Sequence, residues 1–380
     1  MGRILIVGDL FPVSQNISQF CVGDIENLFG KRVCELFFEA DYRICNLEGA
    51  LTDHAERCQK TGPVVTASTS AIEAYKQLGI DCCMLANNHI TDGGHQGVLD
   101  TMHTLERAGI HYIGAGKDVN HIIRSLFIEL EGIKLCVYNV SETMYNVPTG
   151  RRAGAWVYDE YVVCKELESL KAQCDYLVVI YHGGIEKYQY PSPEIRKRFH
   201  RMADSGANVI LSQHTHCIGC EEFYNGSYLL YGQGDFLFKN FRPEITDKGI
   251  AVELCFDNSG MTINKHVVKC SKNLRLEYIE NPDFKEFTTR SDMLKDENFI
   301  HDKFYSYCED ELHLYLEAFK SPGLLLRITK KFFPLFYKRW LLSKAYTRRN
   351  LLFSLHTLRS EQNRETCIGG IERLLGLDMK

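Results

Sequence analysis

Seven short apolar runs set the tightest limit on what this chain can fold into. They are ILIVGD (4–9), YRICNLE (42–48), CCMLANNH (82–89), KLCVYNV (134–140), YLVVIYHGG (176–184), NVILSQHTH (208–216) and SYLLYGQGDF (227–236). Runs this short, rich in β-branched residues and ending in polar ones, read as buried strands. Helical patterns lie between several of them. STSAIEAYKQLGI (68–80) starts on Ser and Thr and carries Ala, Ile, Tyr and Leu on one face. GHQGVLDTMHTLERAGI (94–110) offers Gly109 as a C-cap, and PEIRKRFHRMADSGA (193–207) ends near Gly206. Strand alternating with helix predicts an α/β fold. The strands near 227–269 follow one another without helices, which predicts a partly antiparallel or mixed sheet.

The chain changes character near residue 280. Residues 1–280 read as an α/β domain and 281–380 as a helical, basic C-terminal region. Residues 320–359 hold ten Lys and Arg and no Asp or Glu. Three readings of that segment stand open. It packs its aromatics and shows its cations to water; it lies on an anionic membrane surface through Phe332, Phe333, Trp340 and Leu341–Leu342; or it binds a partner. Pro322 and Pro334 break any single long helix there. The net charge of −5 argues against wholesale nucleic-acid binding, and no nucleic-acid partner is expected. The 15 cysteines are scattered. Cys217 and Cys220 have zinc-like spacing but lack a second pair, so the cysteines read as reduced, buried thiols. The opening MGRILIVGDLF is too short an apolar run for a signal peptide, and no window reaches the roughly 18 apolar residues of a membrane span. The expectation is a cytoplasmic protein, at most peripheral to the inner membrane face.

In α/β sheets, ligands gather beyond the carboxyl ends of strands. The residues there are Asp9; Asn46 and Glu48; Asn87, Asn88, His89 and Asp92; His182, Gly183, Gly184 and Glu186; His214 and His216; and Asp235. Taken singly, each has a bland reading: Asp9 as a helix cap, Asn87–Asn88 as turn residues, Glu48 as a surface charge. His214-x-His216 at a strand end puts both imidazoles on one side, because side-chain direction has period two. Together they make a set of carboxylates, carboxamides and imidazoles that suits Mn²⁺, Fe²⁺ or Zn²⁺. Two ions about 4 Å apart could share one carboxylate and hold a water as hydroxide near neutral pH.

GDL (8–10), NLEGALTD (46–53), LGIDCCMLANNHITDGGHQGVLDT (78–101), HGGIEKYQYPSPEIR (182–196), GANVILSQHTHCIGCEEFYNG (206–226) and LLYGQGDFLF (229–238) closely resemble the CapA family. That family serves bacterial capsule, or poly-gamma-glutamate, synthesis, within the calcineurin-like metallophosphoesterase superfamily. The resemblance covers about residues 3–270. It implies a four-layer α/β/β/α sandwich with one or two divalent ions at the strand ends. Asp9 then corresponds to a carboxylate of the first metal, Glu48 to the bridging carboxylate, and Asn88 to a ligand carboxamide. His182 and His214 correspond to ligands of the second metal, and His216 to one of the first. His89 corresponds to the histidine that serves the transition state or leaving group, with Asp92 orienting it. The chain departs from the superfamily at Phe11, where an Asp-x-His histidine is usual, and at Asp235, where Asn is usual.

Two functions follow as expectations. One is a metal-dependent hydrolase in capsule, poly-gamma-glutamate or other envelope-polymer synthesis, with a metal-held hydroxide attacking a phosphoester or amide-type bond. The other is a non-catalytic polymer-binding or assembly factor. Asn46, Glu186, Arg196 and Asp235 are candidates for substrate contact or for supporting the ligands. Lys187, Tyr188, Arg196 and Arg151–Arg152 would suit an anionic polymer or a phosphorylated small molecule.

Overall fold

The computed structural model describes residues 2–54, 56, 63–144, 146–238, 243–257, 260–318 and 331–335. In chain order the elements that position the site begin with Gly2–Leu10 (β1), Lys31–Glu39 (α1), Tyr42–Asn46 (β2), Ile72–Gln77 (α2), Cys82–Met84 (β3), Gly94–Ala108 (α3) and His111–Ile113 (β4). Ser125–Leu130 (β5), Ile133–Ser141 (β6), Glu160–Lys171 (α4), Tyr176–His182 (β7), Pro193–Asp204 (α5) and Val209–Gln213 (β8) follow. Glu221–Tyr224 (β9), Ser227–Leu230 (β10), Asp235–Leu237 (β11), Lys248–Asp257 (β12), Gly260–Cys270 (β13) and Leu276–Tyr278 (β14) come next. Helices Lys285–Met293 (α6) and Glu297–Ala318 (α7) end the series.

The strands form two main sheets. The first has the order β14-β13-β12-β1-β2-β3-β4, with β11 also paired to β1. It is parallel from β1 through β4 and antiparallel from β1 through β14, the mixed sheet expected from the strands near 227–269, although one short helix, Pro243–Thr246, does interrupt them. The second has the order β9-β10-β8-β7-β6-β5, parallel over its four inner strands.

Side-chain alternation makes the layers. Ile4 and Ile6 of β1 join Val178, Ile180, Val209 and Leu211 of the second sheet in one core between the sheets. Leu5 and Val7, one residue out of phase, join Phe37 of α1, Tyr75 of α2 and Leu105 of α3 on the other face. On the far side of the second sheet, Val179, Tyr181 and Ile210 pack with Val163 and Leu167 of α4 and Phe199 and Met202 of α5. The order is helix, sheet, sheet, helix, a four-layer α/β/β/α sandwich. Each fully buried aliphatic or Phe side chain in these cores contributes about 1.5–3 kcal/mol.

Helix ends follow the local chemistry. Ser192 caps α5 by accepting a hydrogen bond from the Ile195 amide at 3.2 Å, with Pro193 in the first helical position. Gly109 ends α3 in the left-handed region, φ 72°.

One compact unit takes in Met1–His301, so α6 and the start of α7 belong with the sandwich; the second is Asp302–Lys380. The second unit is described over the end of α7 and over residues 331–335, and the rest of the basic segment 320–359 lies outside the described residues. Among the described residues no helix is long and apolar enough to cross a membrane. Cys21, Cys34, Cys45, Cys82, Cys83, Cys136, Cys164, Cys174, Cys217, Cys220, Cys255 and Cys270 are free thiols.

Candidate metal centre

The carboxyl ends of β1, β2 and β3 meet those of β7 and β8 at one edge of the sandwich. Asp9, next to last in β1, is in register with Asn46 on one side and Asp235 on the other. Asp9, Asn46, Glu48 and His182 are fully buried; Asn88, His214, His216 and Asp235 are nearly so. Two groups of donors converge there: Asp9, Glu48 and His216, and Glu48, His182 and His214. Within each group the ligand atoms all lie within 4.8 Å of one another, and Glu48 belongs to both.

The hydrogen bonding shows what the centre is built for. Buried polar atoms almost always find partners. Here Asp9 Oδ2, both Glu48 oxygens, His214 Nδ1 and Asp235 Oδ2 are buried without one. Leaving so many acceptors unpaired in one place is costly unless a cation satisfies them. The other atoms of the same residues are well held. Asn46 Nδ2 donates to Asp9 Oδ1 at 2.6 Å and lies 3.2 Å from His182 Nδ1. His182 Nε2 is 2.9 Å from Asn88 Oδ1 and 3.7 Å from Glu48 Oε1. His216 Nδ1 is 2.7 Å from Asp235 Oδ1, and its Nε2 is 4.0 Å from Glu48 Oε1. His216 is held at Nδ1 by the Asp235 carboxylate and turns Nε2 toward Glu48, the arrangement that orients a metal-ligating histidine; His182 instead receives the Asn46 N–H on Nδ1 and sets Nε2 against Asn88 Oδ1.

The charges respond to this crowding. Burial, with Asp9 close by, pushes Glu48 well above the usual carboxylate range. Burial also raises Asp235, to about 7. Burial alone would raise Asp9, but the nearby His216 and His182, with the hydrogen bond from Asn46, hold it below its ordinary value. Burial lowers His182 and His214. It would lower His216 too, yet Asp235 and Glu48 carry it well above its ordinary value.

The segment ANNHITDGG divides its work among its residues. Asn87 donates to Leu47 O at 2.9 Å and to Asn46 Oδ1 at 3.2 Å, and accepts from the His89 amide at 3.1 Å. It braces the loop, while Asn88 faces His182. His89 Nδ1 lies 2.7 Å from Asp92 Oδ2, which also accepts from the Val65 amide at 2.6 Å. His89 is therefore oriented through Nδ1 by a carboxylate that the backbone fixes in turn.

Other candidates sit differently. His214 and His216 do not extend β8, which ends at Gln213. Both take left-handed backbone, φ 86° and 54°, so a strained turn rather than strand alternation brings both rings to the centre. The structure does not bring Arg196 to the cluster: its guanidinium grips Glu222, Nη2 to Oε1 at 2.7 Å and Nε to Oε2 at 3.2 Å. Arg151 and Arg152 are exposed in a turn. Lys187 lies close enough to Asp235 for its charge to lower that carboxyl's pKa, and Glu186 exerts its charge on His214. The Tyr188 side chain is buried. Phe11 is buried with its ring against Gly49, where a Cβ would come within 2.6 Å of it. The metal-capable groups among the described residues include neither Cys217 nor Cys220.

Sequence reasoning missed Glu142, which follows the last residue of β6 and brings Oε1 to 3.5 Å from His214 Nε2. The signal was available: the run KLCVYNV is followed by Ser141 and Glu142, a polar tip like the others. It also missed Gln213 and Gln233. Gln213 Nε2 donates to Gln233 Oε1 at 2.9 Å and to Val7 O at 3.3 Å, and Gln233 Nε2 donates to Ile6 O at 3.2 Å. They tie the second sheet to the first just below the centre.

Two facing sheets, helices outside and a carboxylate, carboxamide and imidazole cluster at the strand ends define a four-layer α/β/β/α protein with a candidate metal centre. The chain belongs to the family of the bacterial capsule synthesis protein PGA_cap, whose family model matches residues 3–240. It is similar to the capsule biosynthesis protein CapA of Bacillus anthracis, 26% identical over 231 residues, 57% of this chain and 56% of that protein. It is also similar to the PGA biosynthesis protein CapA of Bacillus subtilis (strain 168), 23% identical over 207 residues, 53% of this chain and 54% of that one. The chain thus spans about half the length of the curated relatives it matches. Solved structures that it resembles include a phosphatase of Mycoplasma pneumoniae, 16% identical, covering 75% of this chain and 98% of that one, TM-score 0.44. Another is a 5'-nucleotidase precursor of Thermus thermophilus, 11% identical, covering 83% and 59%, TM-score 0.41.

Proposed function

We propose that this chain is a metal-dependent hydrolase of capsule, poly-gamma-glutamate or other cell-envelope polymer synthesis, cleaving a phosphoester or amide-type bond. The substrate would be an anionic polymer or a phosphorylated small molecule. The observation that carries the reading is Glu48: fully buried, common to both donor groups, with neither oxygen hydrogen-bonded. The donor set fits Mn²⁺, Fe²⁺ or Zn²⁺. Asp9, Glu48 and His216 would hold one ion, and Glu48, His182, His214 and Asn88 the other. Bound ions would supply Lewis-acid charge and lower the pKa of a water.

The chain's own residues account for the rest. Asp92 orients His89 through Nδ1, and His89 is the proton donor for a leaving oxygen or nitrogen. Asn46 fixes Asp9 and His182 together. Asp235 fixes His216, and Lys187 supplies positive charge at the same edge.

The buried Phe11, where relatives of the superfamily carry a histidine, supports a second reading. In it the centre binds a polymer or an ion without turnover, as an assembly factor. Elemental mass spectrometry of the purified chain beside His214→Ala separates the two, followed by hydrolysis assays with Mn²⁺. About two ions per chain, reduced in the variant, with turnover that Glu48→Gln abolishes, is the expected result. A chain that takes up no Mn²⁺ or Zn²⁺ refutes the hydrolase reading; metal without turnover, and polymer binding intact in Glu48→Gln, favours the assembly factor.

A further inference from the structure

We propose that Glu142 is a positioning residue for the second ion: it holds His214 Nε2 as N–H, so that the Nδ1 lone pair is presented to the metal. The inference rests on the metal-centre reading above. His214 Nδ1 is buried without a partner, while Nε2 faces Glu142 Oε1 at 3.5 Å. A neutral imidazole has one protonated nitrogen, and the partner of that nitrogen decides which one it is. His216 already has such a partner on Nδ1, the Asp235 carboxylate. Glu142 gives His214 the same kind of support on the opposite nitrogen.

The surrounding chain is built to hold Glu142 in this position. Its amide donates to His182 O at 2.9 Å, and its carbonyl accepts from Asn146 Nδ2 at 3.2 Å. Its Oε2 accepts from the Gly184 amide at 3.1 Å, which leaves Oε1 for His214. The two glycines after His182 then acquire a reason. A Cβ on Gly183 would meet Glu142 Oε2 at 2.9 Å and Glu142 Cβ at 3.0 Å, and Gly184 has φ 116°. The HGG motif makes room for a carboxylate from a neighbouring strand end and supplies it with a backbone donor.

The test uses the full chain, wild type and Glu142→Gln, with Glu142→Asp as the conservative control. In the metal-free proteins, ¹⁵N imidazole NMR reads the His214 tautomer; Zn²⁺ titration by calorimetry reads each ion's Kd. The expected result is Nε2-protonated His214 in the wild type and a mixed tautomer in Glu142→Gln. The second-ion Kd should be about 10–100-fold weaker in the variant, with the first ion and the metal-free Tm unchanged and partial recovery in Glu142→Asp. An unchanged tautomer and unchanged Kd in Glu142→Gln overturn the proposal while leaving the centre intact. Equal weakening of both ions with a lower metal-free Tm also overturns it, making Glu142 a purely structural residue. A wild-type chain that binds no Zn²⁺ overturns the centre and this inference together.

Discussion

Replacing Glu48 by Gln should move the stability of the metal-free and metal-loaded protein differently. Without metal, Glu48 is a fully buried acid whose oxygens have no hydrogen-bond donor, and burial beside Asp9 lifts its pKa. An acid raised on folding binds its proton more tightly in the native state. Its contribution therefore declines as pH rises through the ordinary value of 4.5 toward the raised one. A glutamine side chain is neutral and nearly isosteric, so the metal-free Glu48→Gln variant should be at least as stable as wild type at pH 7. Its stability should also be flatter with pH above about 4.5. With metal the order reverses. An ion at 100 times its Kd stabilises by about 2.7 kcal/mol, and two independent ions by about 5 kcal/mol. For a unit of this size 1 kcal/mol moves Tm by about 2 °C. Wild type should gain about 10 °C on saturation with Mn²⁺, and Glu48→Gln, lacking the shared ligand, should gain about 2 °C or less. Differential scanning fluorimetry at pH 7, with EDTA or with Mn²⁺, reads all four values. An equal Mn²⁺-induced rise in both proteins, or a metal-free variant several degrees below wild type, would refute the reasoning.

Other consequences are as direct. Burial would raise Glu222, but its hydrogen bonds to His200, Arg196 and Tyr231 hold it at about 2. Its contribution to stability is complete above about 4.5 and lost as pH falls toward 2, so urea melts from pH 6 to pH 3 should show a shallower acid limb in Glu222→Gln. Asp92→Asn removes the carboxylate from His89 and should leave metal content intact while lowering kcat by about 10²–10⁴ on any hydrolysed substrate; loss of metal instead would move Asp92 into the ligand set. Gly49→Ala drives a Cβ to within 2.6 Å of the buried Phe11 ring at a backbone φ of 154°. It should cost about 1–3 kcal/mol in chemical denaturation, and an unchanged midpoint would show that Phe11 can move aside.

Much of the architecture was legible because it depends on local patterns. β1 alternates Ile4 and Ile6 against Leu5 and Val7, and the two sets enter different cores. The helices end where Gly109 and Ser192 allow or cap them. The stretch after residue 227 holds one short helix, Pro243–Thr246, and after it β12, β13 and β14 pair antiparallel, because consecutive strands can turn back on each other without a crossover. The polar residues at strand ends could be named in advance, because a parallel sheet sends its carboxyl ends to one edge.

By itself, then, the sequence determined the strand and helix order, the donor types and the edge where they collect. Only the tertiary structure decided which of them meet. Arg196 looked like a substrate contact until Glu222 took both prongs of its guanidinium. His214 and His216 share a direction through left-handed backbone, which the x in H-x-H does not encode. Glu142 reaches His214 from a distant part of the chain, in space that Gly183 leaves open. The physical reason is the same in each case. Local periodicity sets which way a side chain leaves its own backbone, whereas a hydrogen bond, an ion pair or a shared metal ligand depends on distances between segments remote in sequence, and packing alone sets those.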